Sequence, residues 1–279
     1  MNILEIDSLQ KFIKNIISGN QDLEDDIYEN EPTLKNSDKS IDFRLHSPVD
    51  IHLYDSQGNH AGLVQNPISG SNLKAYEARI PNSYYKEFGE TKYIGVGSED
   101  TYNIELQGLD FGTFTLEIKE SLGNEVLGKK VFEDIPTSPQ MLASMTIQTV
   151  DTSLALSIDI DSDGNTDAIL TGNKNNDLTV SLKILENIIG QLDIHKGLKQ
   201  DIVEKLMQAQ KELAKGKNEK TIEKLDKIIK KLESEIEKNL STNGDDDDGE
   251  EDKHKQKVST EDARVIIEIV EKLKANVVE

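Results

Sequence analysis

The sequence predicts a mixed fold, mainly β and then α: an antiparallel β-sandwich followed by a small antiparallel helical bundle. Apolar residues repeat with a period of two from Ile41 to about Leu170, and after Asn176 the spacing changes to three and four. Turn-forming clusters interrupt the first stretch at short, regular intervals. The change of character near residue 175 divides the 279 residues into two domains, preceded by a helix and linker. Residues 1–40 read as an amphipathic helix and a polar linker, 41–175 as the sandwich, ending in an Asp-rich loop, and 176–279 as the bundle, with an acidic loop at 241–258.

In chain order, Leu9, Phe12, Ile13, Ile16 and Ile17 stand at helical spacing, and the stretch from Ser18 to Ser40 is too polar to bury a core and reads as a tether. Strands follow, each with one wet face. Phe43 and Leu45 alternate with Asp42, Arg44 and His46, and Val49, Ile51 and Leu53 with Asp50, His52 and Tyr54. Phe114, Leu116 and Ile118 alternate with Thr115, Glu117 and Lys119. Asp55 to Asn59, Gly70-Ser71-Asn72, Gly108 and Gly123-Asn124 supply turns, and many short strands with such punctuation point to an Ig-like arrangement.

The helical part carries one apolar stripe per segment. The stripes run from Leu182 to Leu192, from Leu198 to Leu213 and from Ile222 to Leu240, with a last one through Ala263, Ile266, Val270, Leu273 and Val277. Gly190, Gly197 and Gly216 lie near expected helix ends. Asp201 with Lys205, Glu223 with Lys227 and Asp226 with Lys230 have the spacing of outward ion pairs. Ser259, three residues before Asp262, predicts the N-cap of the last helix. Asp245 to Asp252 is a like-charge block that reads as a solvated loop and not as a ligand set.

A formal net charge of -21 repels phosphate backbones and anionic lipid, so nucleic acid is excluded as a partner and divalent cations are favoured. The absence of Cys excludes disulfides, thiolate zinc sites and a Cys nucleophile, and leaves the redox compartment open. No apolar run is long enough for a membrane span, and Met1 to Ile17 is amphipathic and not an export signal.

One motif points to chemistry. In Asp159-Ile160-Asp161-Ser162-Asp163-Gly164-Asn165-Thr166-Asp167, strand alternation sets Leu154, Leu156, Ile158 and Ile160 on one face and Asp159 and Asp161 on the other. The chain then bends at Asp163-Gly164. Carboxylates crowded on one side of a bend favour a hard cation, and Ca²⁺ is the ion whose six to eight oxygen ligands suit them. The spacing resembles the first nine positions of an EF-hand or dockerin-type loop. That resemblance implies side-chain ligation by Asp159, Asp161 and Asp163, a carbonyl from Asn165, and Asp167 directly or through water. The position where such a loop carries a bidentate Glu is Leu170 here. An ion-free acidic turn is the competing reading.

His46, His52 and His60 read as exposed strand histidines, because no ligand spacing accompanies them. Tyr84, Tyr85, Phe88 and Tyr93 read as packing or strand-edge cover, or as a contact for sugar or protein. No nucleophile elbow, zinc-protease motif or phosphate-binding glycine loop is present, so no catalytic residue is nominated and the chain is expected not to be an enzyme.

Two further resemblances concern whole regions. Ser47 to Asp55, Ile80 to Tyr85, Tyr102 to Leu106 and Gly112 to Leu116 resemble the Ig-like sandwich appended C-terminally to secreted bacterial and archaeal hydrolases, including lipase-like α/β-hydrolases. Leu206 to Gly216 and Thr221 to Leu232 are similar to the FIMAH-type helical domain at the C-termini of secreted bacterial enzymes. The resemblance implies the tail of a longer exported protein, with residues 1–17 as the last helix of an upstream domain. The function expected is a calcium-binding, non-catalytic accessory region, extracellular or at the cell surface, that contacts a protein or a cell-surface glycan. If the chain is complete, a cytoplasmic adaptor with the helices as its binding surface is the alternative.

Overall fold

The computed structural model describes residues 39–46, 48–65, 74–172, 174–242 and 257–278. The helix expected at 8–17, nearly all of the tether and most of the acidic loop at 241–258 lie outside them. The described residues form twelve strands and four helices. Strands β1 (Lys39–His46), β5 (Tyr84–Phe88), β6 (Thr91–Gly97), β8 (Gly112–Leu122) and β9 (Glu125–Thr137) make one sheet, in the order β5-β6-β1-β8-β9. The other holds β2 (Val49–Tyr54), β3 (His60–Val64), β4 (Ala75–Ala78), β7 (Tyr102–Gly108), β10 (Leu142–Ile147), β11 (Leu156–Asp159) and β12 (Ala168–Leu170). Its order is β12-β11-β10-β7-β2-β3-β4, and every pairing in both sheets is antiparallel.

Alternation decides which face each strand buries. In β1, Ile41, Phe43 and Leu45 are fully buried; in β7, Tyr102, Ile104 and Leu106 are buried while Asn103, Glu105 and Gln107 are exposed. A slip of one residue would exchange those sets, so the register is fixed by the core. The Asp55 to Asn59 turn joins β2 to β3 around the Asp55 carboxylate, which accepts from the backbone amides of Gln57 at 2.9 Å and Asn59 at 2.8 Å. Gly123-Asn124 closes the β8–β9 hairpin.

The helices are α1 (Lys174–Gln191), α2 (Lys196–Leu213), α3 (Asn218–Thr242) and α4 (Thr260–Val278). Their stripes face inward, and α1 packs on α2 and α4 while α3 packs on α2 and α4. Ser259 Oγ accepts from the Asp262 amide at 2.9 Å and starts α4, as its spacing predicts. Asp201 pairs with Lys205, and Glu223 with Lys227 at 2.6 Å, but Asp226 receives Lys274 of α4 at 2.8 Å, because the neighbouring helix brings a closer ammonium. Gly197 lies at the start of α2 and not where a helix stops, its amide donating to His195 Nδ1. No described helix is long and apolar enough to cross a membrane.

Sheets and helices share one continuous set of buried apolar side chains. Helix α1 lies on β9 and β12, and α4 on β8 and β9. Polar contacts cross the same boundary: Lys272 donates to Thr113 Oγ1 at 3.0 Å and Asn276 to Asp134 at 3.3 Å.

Candidate metal centre

The Asp-rich motif forms the loop between β11 and β12, at one edge of the seven-stranded sheet. Leu156 and Ile158 are buried and paired with Leu170 and Ala168, which anchors both arms of the hairpin in the core. Asp159 leaves β11 on the opposite face, partly exposed. The loop closes where the Asp167 amide donates to the Ile158 carbonyl at 2.8 Å and the Ile160 amide donates to Asp167 Oδ2 at 2.8 Å. Ser162, at φ 59°, and Gly164, at φ 86°, turn the tip, and Ser162 Oγ donates to the Gln140 carbonyl before β10.

The turn brings together one oxygen from each of Asp159, Asp161 and Asp167, all within 4.8 Å of one another. Two ligands on opposite sides of a Ca²⁺ ion, each at about 2.4 Å, are separated by about that distance, so three such oxygens fit a single coordination shell. Backbone amides take up part of the charge: Gly164 N–H donates to Asp159 Oδ2 at 2.9 Å, and Asp163 N–H lies 3.3 Å from oxygens of both Asp159 and Asp161. The donor set is all oxygen, which suits Ca²⁺ rather than a softer metal.

The other two residues nominated by the spacing are placed differently. The Asp163 carboxylate turns onto Asn165, accepting from its amide at 2.8 Å and from its Nδ2 at 3.0 Å, outside the group of three. Those bonds hold the Asp163 carboxyl below the usual carboxylate range. Leu170 is fully buried in β12, so its position serves the core and offers no ligand.

Two residues invisible to motif reading tie the loop to the helices. Gln191, the last residue of α1, donates from Nε2 to the Ile160 carbonyl at 3.5 Å. Buried Asp177 accepts from the Thr171 and Gly172 amides, both at 2.8 Å, and fixes the step from β12 into α1. An Asp shortly after a strand and at the start of an amphipathic run was the available signal for Asp177; a Gln at a helix end carries none.

The histidines depart from expectation. His60 is only 9% exposed, and it lies between His52 and Glu77. The carboxylate that the sequence spacing lacked arrives from β4, across the sheet. His46 lies 3.1 Å from Thr91 Oγ1. Among the aromatics, Tyr85 is buried and stacks on Tyr76 with ring centroids 5.5 Å apart, Tyr84 donates to Asp42 at 3.1 Å, and exposed Phe88 forms a T-shaped pair with Tyr93. The chain matches no family model, no curated protein and no solved structure.

Proposed function

We propose that the chain is a calcium-binding, non-catalytic accessory region of an extracellular or cell-surface protein. In this reading the two sheets are an Ig-like β-sandwich, the helices a small antiparallel bundle that contacts a protein or glycan partner, and the whole the tail of a secreted hydrolase. The observation that carries it is the convergence of Asp159, Asp161 and Asp167 at one bend. Asp159 and Asp161 flank Ile160, whose carbonyl accepts from Gln191, so an ion here stiffens the junction between sheet and helices. The missing twelfth-position carboxylate and the open loop fit weak affinity, on the order of 10⁻⁴ to 10⁻³ M, the range of extracellular modules. Such a site fills where calcium is millimolar, which supports an outside location.

The test is a thermal melt in calcium and in chelator. An ion held at ten times its Kd stabilises the folded chain by about 1.4 kcal/mol, which appears as a raised midpoint. Asp161→Ala should remove the rise and leave the melt in chelator unchanged or slightly higher, because one of three crowded like charges is gone. A wild-type midpoint that does not move at millimolar calcium would sink the proposal.

A further inference from the structure

The far edge of the same sheet carries a second polar assembly, where β2, β3 and β4 lie side by side. Gly62 of β3 is the register partner of His52 on β2 and of Glu77 on β4, so those two side chains stand on one face with a glycine between them. His60 fills the gap from the same face of β3. Its Nδ1 lies 3.0 Å from Glu77 Oε2 and its Nε2 lies 3.1 Å from His52 Nδ1. A Cβ on Gly62 would stand 2.9 Å from His60 Nε2 and 3.1 Å from His52 Nδ1, so the bridge requires a residue without a side chain there. Tyr54 covers the His60 ring at a centroid distance of 4.9 Å.

The hydrogens can be assigned from what each neighbour can do. An ionised carboxylate only accepts, and Glu77 also takes Arg79 Nε at 2.5 Å, so His60 Nδ1 carries a hydrogen and the neutral ring turns a lone pair on Nε2 toward His52. The two imidazole centroids are 5.3 Å apart with 21° between planes. That separation exceeds the nitrogen–nitrogen distance by about two ring radii, so the rings meet edge to edge in nearly one plane. This is the geometry of an N–H···N bond; two nitrogens sharing a metal would instead incline toward a point beside the line joining them.

We propose that His52, His60 and Glu77 form a proton-operated latch that ties edge strand β4 across β3 to β2. With both rings neutral, one hydrogen sits between the facing nitrogens and another between His60 and Glu77. A first added proton goes to the outer nitrogen of His52 and leaves both bonds in place. A second sets N–H against N–H between two cationic rings, and the bridge parts. Asp50 on β2 and Glu105 on β7 favour protonation of His52, while its burial and the facing His60 oppose it more strongly and hold it below its ordinary value. Tyr54, Glu77 and Arg79 complete the charged and titratable surroundings. Among the described residues strand β4 pairs in the sheet with β3 alone and touches β5 through the Tyr76 stack on Tyr85, so the latch is a large part of what fastens it.

The experiment is a nitrogen-15 NMR titration of the histidine rings in the full chain, with amide exchange of residues 75–78 followed over the same pH range. The nitrogen-15 shifts report which ring nitrogens of the facing pair hold hydrogens as the first and the second proton are added. Exchange at β4 should rise about five- to tenfold beyond its intrinsic pH dependence across the second step, the equivalent of one lost hydrogen bond. His52→Gln keeps a partner for either state of His60 and cannot charge, so it should abolish that acid loosening. Exchange at β4 that is flat through both titrations in the wild type, or acid loosening that persists in His52→Gln, would overturn the latch.

Discussion

Opposite edges of one sheet solve the same electrostatic problem in different ways. Beyond β11 and β12, three carboxylates face one another, and among the described residues they accept hydrogen bonds from amides of the loop itself. Across β2, β3 and the end of β4, a carboxylate, two imidazoles and a guanidinium hydrogen-bond to one another. Under the proposed function the first assembly takes a cation, whereas the second holds its own donors and acceptors. What separates them is the presence of a donor in the set: an all-acceptor cluster calls for an ion, and a mixed one satisfies itself.

Each assembly depends on a glycine, and exchanging both should give the largest contrast. Gly62→Ala places a Cβ 2.8 Å from the Ile51 carbonyl, a backbone atom that cannot step aside, as well as against both imidazoles. A loss of about 3 kcal/mol in denaturant unfolding is expected. At Gly164 nothing lies within 4 Å of the added Cβ, so only the φ of 86° is strained and about 1 kcal/mol is expected from Gly164→Ala. Equal losses at the two positions would mean that crowding at Gly62 is relieved by movement of β2, and the bridge would then not be a rigid element.

The Asp loop was legible because all its members lie within residues 159–167, where strand alternation and a glycine suffice to place carboxylates together. The bridge was not, since residues 52, 60 and 77 meet only through strand register. His52 was rightly placed on an outward face, yet no reading of one strand shows that Gly62 leaves room beside it. The same divide runs through the fold. The stripes of α1 to α4 and the alternation of β1 and β2 are local and readable, whereas the strand order β12-β11-β10-β7-β2-β3-β4 rests on contacts far apart in sequence. Asp226 shows the limit within a helix: its spacing favours Lys230, and tertiary packing supplies Lys274 instead.

A smaller contrast concerns acid. The His52 value is depressed in the folded chain, so the unfolded chain binds a proton first, and stability is full above the ordinary value of 6.5 and declines as pH falls below it. Asp163 is also depressed, so its contribution is present above 3.8 and is lost only as pH falls below that. Acid unfolding should therefore show an early decline that His52→Gln flattens, followed by a later one that it leaves alone. A curve for His52→Gln that overlays the wild type between pH 7 and about 5 would remove the histidine edge as the acid-sensitive one.

The smallest expected effect discriminates between two ligand sets in the loop. Spacing alone gives Asp163 the same standing as Asp159 and Asp161, but its carboxylate is turned onto Asn165 while the other two converge with Asp167. Asp163→Asn retains an oxygen to accept from the Asn165 amide, so the turn should persist and the calcium-dependent rise in melting midpoint should shrink by less than about 0.5 kcal/mol. Asp161→Ala should remove the rise entirely. If Asp163→Asn proves as damaging as Asp161→Ala, the ion is held in the order the spacing dictates, and the loop must swing Asp163 away from Asn165 to bind it.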